Sequence, residues 1–391
     1  MAFRPFYMAR EWVRAGHTVK IVAASYSHIR ANQPKLGSAV LDEQIEGVDY
    51  RWYATPRYFG NGIGRVKNIL TFLWALFWDA RRLSHDFKPD VVISSSTYPM
   101  DIWPARRIAK MVKAKLIFEV HDLWPLSPIE LGGMSKWHPF ILWVQLAENY
   151  ALRHSDKVIS MLPKTFDYMH SHGMAAHKFS YVPNGVNEEE SAHPGQMPSE
   201  VQVHLDKLRL LGLPILGYTG TYGLANALDV LLDAAHLLNG RAQIVMVGTG
   251  PDRERLMARV KLEGLMNVAI FPSVPKPAVS SFLMALDIAY IGLLPRRIFR
   301  FGISPNKLMD YMLSGKPIVM AIDAGNDLVT ETGCGITVAP GDATAVAQAV
   351  LRLATLSDDE RTAMGQKGRE FVLKNKTYRV LAASFLAAIG S

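Results

Sequence analysis

Short runs of β-branched and other apolar residues alternate with helical patterns along this chain, and this alternation constrains its fold more than any other feature. The first half contains the strand-like runs HTVKIVAAS, DVVISSS, AKLIFEV and DKVISML, and the second half repeats the rhythm from PILGYTG to KPIVMAI. Strands that alternate with helices predict βαβ units and a parallel sheet. The sequence therefore predicts an α/β protein of two Rossmann-like, doubly wound parallel-sheet domains that face each other across a cleft.

The length of 391 residues suits two domains of similar size. A polar segment with two prolines, EEESAHPGQMP at 188–198, is expected to link them. We therefore predict a first domain over residues 1–205 and a second over 206–375. The last helical segment, 376–391, is apolar on one face and is expected to pack back across the hinge.

The N-terminus departs from this pattern, because the helical segment FYMAREWVRAG stands where a Rossmann unit opens with a strand. We therefore expect the first strand to be missing and the natural start to lie roughly 15 to 25 residues upstream. The first residues carry no apolar core followed by a cleavage site, so no signal peptide is predicted. Cys334 is the only cysteine, which excludes an internal disulfide and fits a reducing, cytoplasmic compartment.

The formal net charge of +8 suits nucleic acid, an anionic membrane surface or a phosphate-bearing ligand. No basic run is interleaved with stacking aromatic residues and no common nucleic-acid motif is present, so nucleic acid is not expected as a partner. A nucleotide substrate or a membrane surface is favoured instead.

One apolar stretch, ILTFLWALFW at 69–78, stands between basic residues at both ends. It is too short to span a bilayer, which needs about 20 residues. A buried helix is the favoured interpretation. The alternative is a helix whose aromatic face enters the headgroup layer, with Arg65, Lys67, Arg81 and Arg82 near the lipid, which would place the protein on the inner face of the plasma membrane.

Glycines cluster after two strands of the second half. The segment GYTGTYG (217–223) lets the main chain pass close to a diphosphate, which makes Gly220 and Thr221 candidate ligand-binding residues. The segment VGTGPD (247–252) ends a strand and opens a helix, where backbone amides bind phosphate. Gly248 and Gly250 are therefore binding candidates, although a purely structural turn explains them equally well.

The stretch FGISPNKLMDYMLSGKPIV (301–319) is the most informative of the chain. Its polar turn, with Ser304 and Asn306, starts a short helix that carries Asp310. Lys307 stands in the first helical turn, where the helix dipole favours an acidic residue, so an anionic ligand there would explain it. The alternative is a solvated lysine without a ligand.

The stretch FEVHDLWP (118–125) ends a strand of the first half, at the sheet edge where open α/β folds bind ligands. His121 and Asp122 are candidate catalytic residues that would orient a substrate hydroxyl or its proton. The alternative is that they cap and brace the loop.

Four motifs, FEVHDLWP, PNGVN (183–187), VGTGPDRERL (247–256) and SPNKLMDYMLSGKPIV (304–319), stand in this order along nearly the whole chain. Together they resemble the retaining family 4 glycosyltransferases of the GT-B fold, and most of all the enzymes that build bacterial O-antigen and capsule, such as N-acetyl-fucosamine transferases. The resemblance implies a second domain that binds a UDP-sugar and a first domain that binds an acceptor. It gives His121 the place of the family's histidine near the reacting carbon.

The same resemblance implies the reaction. A hexosyl or N-acetylhexosaminyl group would pass with retention to a hydroxyl of a saccharide, one linked to a polyprenyl lipid during surface polysaccharide synthesis. No Asp-x-Asp or dense carboxylate cluster offers a metal site, so neither a metal nor another cofactor is expected. Two alternatives stay open: a nucleotide-sugar 2-epimerase of the same fold, and a catalytically silent subunit that binds a partner transferase.

The chain departs from the family at the phosphate-binding positions. Family members carry two glutamates separated by seven residues, and the matching positions here are Gly302 and Asp310. The arginine and lysine that hold the diphosphate in many members are replaced by Thr221 and Asn226. Neither replacement can neutralise a phosphate, so Lys307 becomes the leading candidate. Three further candidates follow it: Arg296, Arg297 and Arg300.

Overall fold

The computed structural model describes residues 4–27, 30, 32–60 and 62–390, and these form two compact units. The first unit runs to Pro183 and includes the C-terminal segment from Tyr378, and the second covers Asn184–Thr377. The boundary near residue 205 expected from the sequence is wrong, because the helix Ser199–Arg209 buries Val201 in the core of the second unit. The polar segment at 188–198 therefore belongs to the second unit.

The first unit is built from short strands and from helices of very different lengths. Its described strands are β1 (Lys20–Ala24), β2 (Val40–Ile45), β3 (Val48–Tyr53), β4 (Val91–Ser94), β5 (Lys115–Val120), β6 (Lys157–Ser160) and β7 (Phe179–Tyr181). Its described helices are α1 (Arg4–Arg14), α2 (Ile63–Phe87), α3 (Ile102–Val112), α4 (Leu126–Glu130), α5 (Pro139–His154), α6 (Phe166–Ser171) and the C-terminal α16 (Tyr378–Ile389).

Within the described part of this unit the strands form two sheets, in the orders β1-β3-β2 and β4-β5-β6-β7. All neighbours are parallel except β2 and β3, which form an antiparallel hairpin. Glu46 and Gly47 turn the hairpin with φ of 49° and 82°, the left-handed values that a tight hairpin turn requires. The predicted parallel α/β fold is confirmed, but the sequence did not predict this hairpin. The polar run VLDEQI gives no apolar signal because β2 is an exposed edge strand.

Strands β1 and β4 each hydrogen-bond to one other strand among the residues described. They pack on the same two groups of apolar side chains: Ile21 and Ile93 contact one cluster, and Val22 and Val92 contact another. The two sheets therefore share their core without being hydrogen-bonded to each other. The expectation of a further strand ahead of α1 stays a prediction.

The C-terminal helix α16 belongs to the core of the first unit. The Tyr7 and Tyr378 rings stack with centroids 4.7 Å apart, and the Trp12 and Phe385 rings lie 5.1 Å apart. The indole nitrogen of Trp12 also donates to the carbonyl of Ala382 at 3.1 Å. The chain therefore returns to the first unit at its end, and helices α1 and α16 stabilise each other.

The second unit has one parallel sheet with helices on both faces. Its described strands, in the sheet order β10-β9-β8-β11-β12-β13, are β8 (Ile215–Thr221), β9 (Gln243–Thr249), β10 (Val268–Phe271), β11 (Ile288–Gly292), β12 (Ile318–Ala321) and β13 (Gly335–Val338). Its described helices are α7 (Glu188–Ala192), α8 (Ser199–Arg209), α9 (Leu228–Leu237), α10 (Arg253–Leu262), α11 (Lys276–Met284), α12 (Asn306–Leu313), α13 (Leu328–Thr332), α14 (Ala343–Ala354) and α15 (Asp358–Asn375).

Successive residues of these strands face opposite layers, so that Val245 packs in one core and Ile244 in the other. Both faces of the sheet are thus buried, which explains the nearly continuous apolar runs in the sequence. The doubly wound arrangement predicted for this half is confirmed. The carboxyl ends of β8 and β9 lie side by side, with Gly220 opposite Gly248.

Replacing Phe385 by alanine should lower the free energy of unfolding of the first unit by about 3–5 kcal/mol, the usual cost of removing a buried aromatic side chain. The matched control is Ala383→Ser at an exposed position of the same helix, which should change it by less than about 0.5 kcal/mol. Urea titrations followed by circular dichroism measure both effects. Equal midpoints for Phe385→Ala and the parent protein would contradict this role of α16.

Candidate functional site

His121 directly follows the buried strand β5, at the carboxyl end of the four-stranded sheet. Its Nε2 lies 2.9 Å from the hydroxyl of Ser95 and 3.3 Å from Oε2 of Glu119. Ser95 follows the neighbouring strand β4, so the parallel pairing of β4 and β5 brings both residues to one edge. The sequence singled out His121 but gave no role to Ser95 or Glu119.

Glu119 is buried and ionised. Its Oε1 accepts a hydrogen bond from Nε of Arg4 at 2.9 Å, and Ser95 donates to its Oε2. Burial by itself would raise the pKa of this carboxyl, but the charge of Arg4 and the hydrogen bonds of His121 and Ser95 outweigh it and hold the pKa far below its usual range. The negatively charged carboxylate of Glu119 therefore lies next to the imidazole of His121.

Arg4 is held from several sides. Besides its bond to Glu119, it donates to the carbonyl of Val182 at 2.9 Å and to that of Pro183. Its side chain is 4% exposed and that of Glu119 is 5% exposed. A buried charge pair with its remaining donors satisfied is rigid, because breaking it would leave a charge without a partner.

These contacts define the tautomer of His121. The Ser95 hydroxyl gives its proton to Glu119, so it can only accept from the imidazole, and Nε2 must carry the ring proton. Nδ1 is then the ring nitrogen that can accept a proton. An imidazole fixed in this way by a carboxylate has the arrangement that general bases require.

A small pocket surrounds this histidine. Its polar lining consists of Ser96, Thr97, Glu119, His121, Asp122 and Glu148. Asp122 is exposed to solvent, whereas Glu148 is 2% exposed and accepts hydrogen bonds from Tyr168 at 2.7 Å and from Gln145 at 3.0 Å. Burial raises the pKa of Glu148 to about 7. A carboxyl that is partly protonated near neutral pH can donate as well as accept a hydrogen bond.

The second candidate site lies at the carboxyl ends of β8 and β9. Gly220 has φ of +152° and Gly250 has φ of +155°, values that side chains rarely adopt. A side chain at Gly248 would clash with the carbonyl of Gly220, because a Cβ there would lie 1.9 Å from it. These glycines are therefore required by the close approach of two turns. Their contact with a ligand stays a prediction.

Lys307 reaches this glycine-rich turn. Its Nζ donates to Oδ1 of Asn226 at 2.6 Å and to the hydroxyl of Tyr218 at 3.1 Å. A Cβ added at Gly220 would lie 3.1 Å from the same nitrogen. Asn226 in turn donates to the carbonyl of Thr221 at 3.0 Å. The ammonium group is thus placed beside the glycine-rich turn.

The electrostatics of Lys307 favour an anion. Burial lowers the pKa of its ammonium group to about 8. A partly desolvated cation gains more from a negative partner than a solvated one does. Lys307 is therefore not a fully solvated lysine, and its contact with an anionic ligand stays a prediction.

The remaining residues of the 301–319 stretch have different surroundings. The Ser304 hydroxyl accepts from the backbone nitrogen of Asn184 at 2.9 Å, so it holds the PNGVN turn in place. Asn306 opens α12 and is exposed. Asp310 lies one turn beyond Lys307 and is an exposed residue. The protein atoms around its carboxyl partly exclude water and raise its pKa to about 6.

The three arginines named from the sequence lie in the segment after β11. The nitrogen of Leu294 donates to the carbonyl of Ala225 at 3.0 Å, so this segment starts against the glycine-rich turn. Arg296, Arg297 and Arg300 are exposed, and Arg300 lies over the ring of Phe301. Lys307 is therefore the better placed cation. Within the described residues no group of three or more His, Cys, Asp or Glu side chains is gathered where a metal could bind.

Comparison with known proteins identifies a family for each half of the chain. The family described as "Glycosyl transferase 4-like domain" matches residues 4–185, and "Glycosyl transferases group 1" matches residues 213–355. A curated relative, the 2-deoxystreptamine N-acetyl-D-glucosaminyltransferase of Niallia circulans, is 24% identical over 265 residues. That alignment covers 65% of this chain and 64% of the relative, so the chain spans less than two thirds of that relative's length.

Solved structures share the fold. The sucrose-phosphate synthase of Thermosynechococcus elongatus is similar over 97% of this chain and 90% of its own, with a TM-score of 0.72 and 18% identity. The HepE protein of Anabaena, in complex with UDP and glucose, is similar over 88% of this chain and 87% of its own, with a TM-score of 0.64 and 15% identity. With both halves matched in order, the chain belongs to the family 4 glycosyltransferases of the GT-B fold.

Proposed function

We propose that this protein transfers a sugar from a UDP-sugar to a hydroxyl group of a saccharide acceptor, with retention of configuration. The observation that carries the proposal is the ammonium group of Lys307, held beside Gly220 by Asn226 and Tyr218. Leaving-group stabilisation dominates such a reaction, because the departing diphosphate takes up the developing charge. Lys307 supplies the positive charge that Thr221 and Asn226 lack.

The donor would bind in the second unit. Its diphosphate would contact Lys307 and the backbone amides of the glycine-rich turn and of the first turn of α12, where the helix dipole favours an anion. Asp310 lies one turn further along the same helix and would accept hydrogen bonds from the ribose hydroxyls. We propose that charge neutralisation comes from these groups, without a metal.

The acceptor would bind in the first unit, with its reacting hydroxyl group at His121. The acceptor oxygen forms a bond to the anomeric carbon, the bond from that carbon to the diphosphate breaks, and UDP leaves. His121 would accept the hydroxyl proton at Nδ1, with the imidazolium stabilised by Glu119. Asp122 and Glu148 would position the acceptor's other hydroxyl groups.

The proposed sugar is a hexose or an N-acetylhexosamine. The Anabaena structure contains UDP and glucose, which supports UDP as the carrier. The curated relative's name describes an N-acetylglucosaminyltransferase, which supports an N-acetylhexosamine as the sugar. We propose a saccharide linked to a polyprenyl lipid as the acceptor, as in the synthesis of O-antigen or capsule.

A release assay tests the proposal: UDP should appear from UDP-sugar when a lipid-linked saccharide is added.

The same assay separates the alternatives. Conversion of the UDP-sugar without any acceptor would indicate a 2-epimerase. The absence of both turnover and UDP binding would indicate a catalytically silent subunit that binds a partner transferase. Either result would overturn the proposed function.

Replacing His121 by alanine should lower kcat by about 10²-fold or more, the usual scale for a proton-transfer group, while UDP binding stays intact. The matched control is His177→Ala, which removes an exposed histidine of the same unit and should leave kcat unchanged. Initial rates of UDP release and calorimetric titration of UDP measure the two properties. A folded His121→Ala protein with full activity would assign this residue a structural role only.

Replacing Glu119 by glutamine should lower kcat and move the acidic limb of its pH profile to lower pH, because the carboxylate that stabilises the imidazolium is gone. Ser95→Ala is the companion variant: it removes the hydroxyl bridge but keeps the Arg4–Glu119 pair, so it should fold normally and lose less activity. Thermal unfolding checks the fold of both. Unchanged pH profiles in two folded variants would remove Glu119 from the mechanism.

Replacing Lys307 by alanine should weaken UDP binding by about 1.5 to 3 kcal/mol, the scale of a charge-assisted hydrogen bond. Because the pKa of Lys307 is about 8, the parent protein should lose UDP affinity as the pH rises above that value, and the variant should not. Binding at alkaline pH should also take up a proton. Calorimetry in two buffers of different ionisation enthalpy measures both.

The control for this experiment is Lys261→Ala, an exposed lysine of α10, which should bind UDP like the parent. Asp310→Ala should weaken binding less than Lys307→Ala but should abolish the preference for UDP over its dideoxyribose analogue. If Lys307→Ala binds UDP with the affinity of the parent protein, phosphate binding would be assigned to the three arginines at 296, 297 and 300 instead.

A further inference from the structure

Helix α2 exposes a stripe of apolar side chains to solvent. Ile63, Leu70, Trp74 and Trp78 are 77%, 48%, 67% and 61% exposed. Their spacing of three to four residues per step, with Lys67 between the first two, places them on one face of the helix. The favoured expectation of a buried helix is therefore right only for the opposite face, which includes Phe72 and Leu76.

The aromatic part of this stripe forms a continuous patch. The Trp74 and Trp78 rings lie 5.6 Å apart, and the Phe77 and Trp78 rings lie 6.1 Å apart. Arg107, on the adjacent helix α3, lies over the Phe77 ring at 4.2 Å. Large exposed aromatic side chains in contact with one another and with a guanidinium group indicate a binding surface.

The charges around the patch have one predominant sign. Cations flank the two exposed tryptophans, with Lys67 before them and Arg81 after them. The helices α2 and α3 together contain seven Lys and Arg residues and two acidic residues. Of these acids, Asp79 is paired with Arg51 and Asp86 with Arg82. Basic residues therefore outnumber acidic ones on the two helices that carry the aromatic patch and Arg107.

We propose that the α2 patch, defined by Ile63, Leu70, Trp74, Phe77 and Trp78, lies in the headgroup layer of an anionic phospholipid bilayer. Tryptophan prefers the boundary between water and lipid, and flanking basic residues bind anionic headgroups. The binding is interfacial: no helix among the described residues is long and apolar enough to cross a membrane.

Charge complementarity favours lipid over a second copy of the chain. In a two-fold dimer through the α2 patch, the basic residues of one copy would face those of the other, and like charges at an interface oppose association. An anionic bilayer neutralises them. Membrane docking of the α2 patch does not depend on which sugar is transferred. The purpose of docking, access to a lipid-linked acceptor, rests on the proposed function.

Flotation with vesicles tests this directly. The protein should float with vesicles of phosphatidylcholine and phosphatidylglycerol, float poorly with phosphatidylcholine alone, and dissociate as salt rises. The double variant Trp74→Ser/Trp78→Ser should lose at least about tenfold in lipid partitioning, because both rings lose their apolar contact. The matched control is Leu262→Ser/Met266→Ser, two apolar residues of the second unit that are even more exposed than the tryptophans, and it should float like the parent.

Charge variants complete the test. Arg81→Gln/Arg82→Gln should weaken binding to the anionic vesicles by about fivefold for each residue removed. No flotation at low salt would overturn the proposal. So would unchanged flotation of the tryptophan variant, or a dimer in gel filtration that this variant dissociates. Calorimetric UDP binding by the same variants is independent of lipid, so a failure of docking remains distinguishable from a failure of the proposed function.

Discussion

The buried pair of Arg4 and Glu119 is the interaction on which the first unit's candidate site depends. It connects the first described helix to the strand that carries His121, and the same guanidinium holds the carbonyls of Val182 and Pro183. Removing one member of such a pair costs about 3–5 kcal/mol, because the other charge stays buried without a partner. The pair thus fixes the position of the carboxylate, and the carboxylate fixes the imidazole.

In the second unit, Lys307 lies beside the glycine-rich turn although it belongs to a helix far along the chain. Its ammonium group donates to Asn226, a residue that follows the turn. Under the proposed function, Lys307 supplies the positive charge for the diphosphate that Thr221 and Asn226 lack. Such an arrangement is possible because the carboxyl ends of parallel strands bring distant segments together.

Much of the fold was accessible from the sequence. Apolar runs such as QIVMVGT and the helices between them predict the doubly wound second unit, because strands buried on both faces have nearly continuous apolar sequences. The same reasoning failed for β2, a polar edge strand, and for the domain boundary, since prolines at 194 and 198 stand inside the second unit. Edge strands and linkers have weak patterns because few of their side chains are buried.

The sequence by itself determined the kinds of residue available for the site: an imidazole after β5, a lysine at the start of α12, and glycines at two strand ends. It could not show that Glu119 and Ser95 fix the tautomer of His121, or that Glu148 lines the same pocket. Nor could it decide which face of α2 is exposed. These outcomes depend on contacts between residues distant in the chain and on local burial, which shifts the pKa of Glu148 and Lys307 towards neutrality. Only the tertiary structure determines these contacts and this burial.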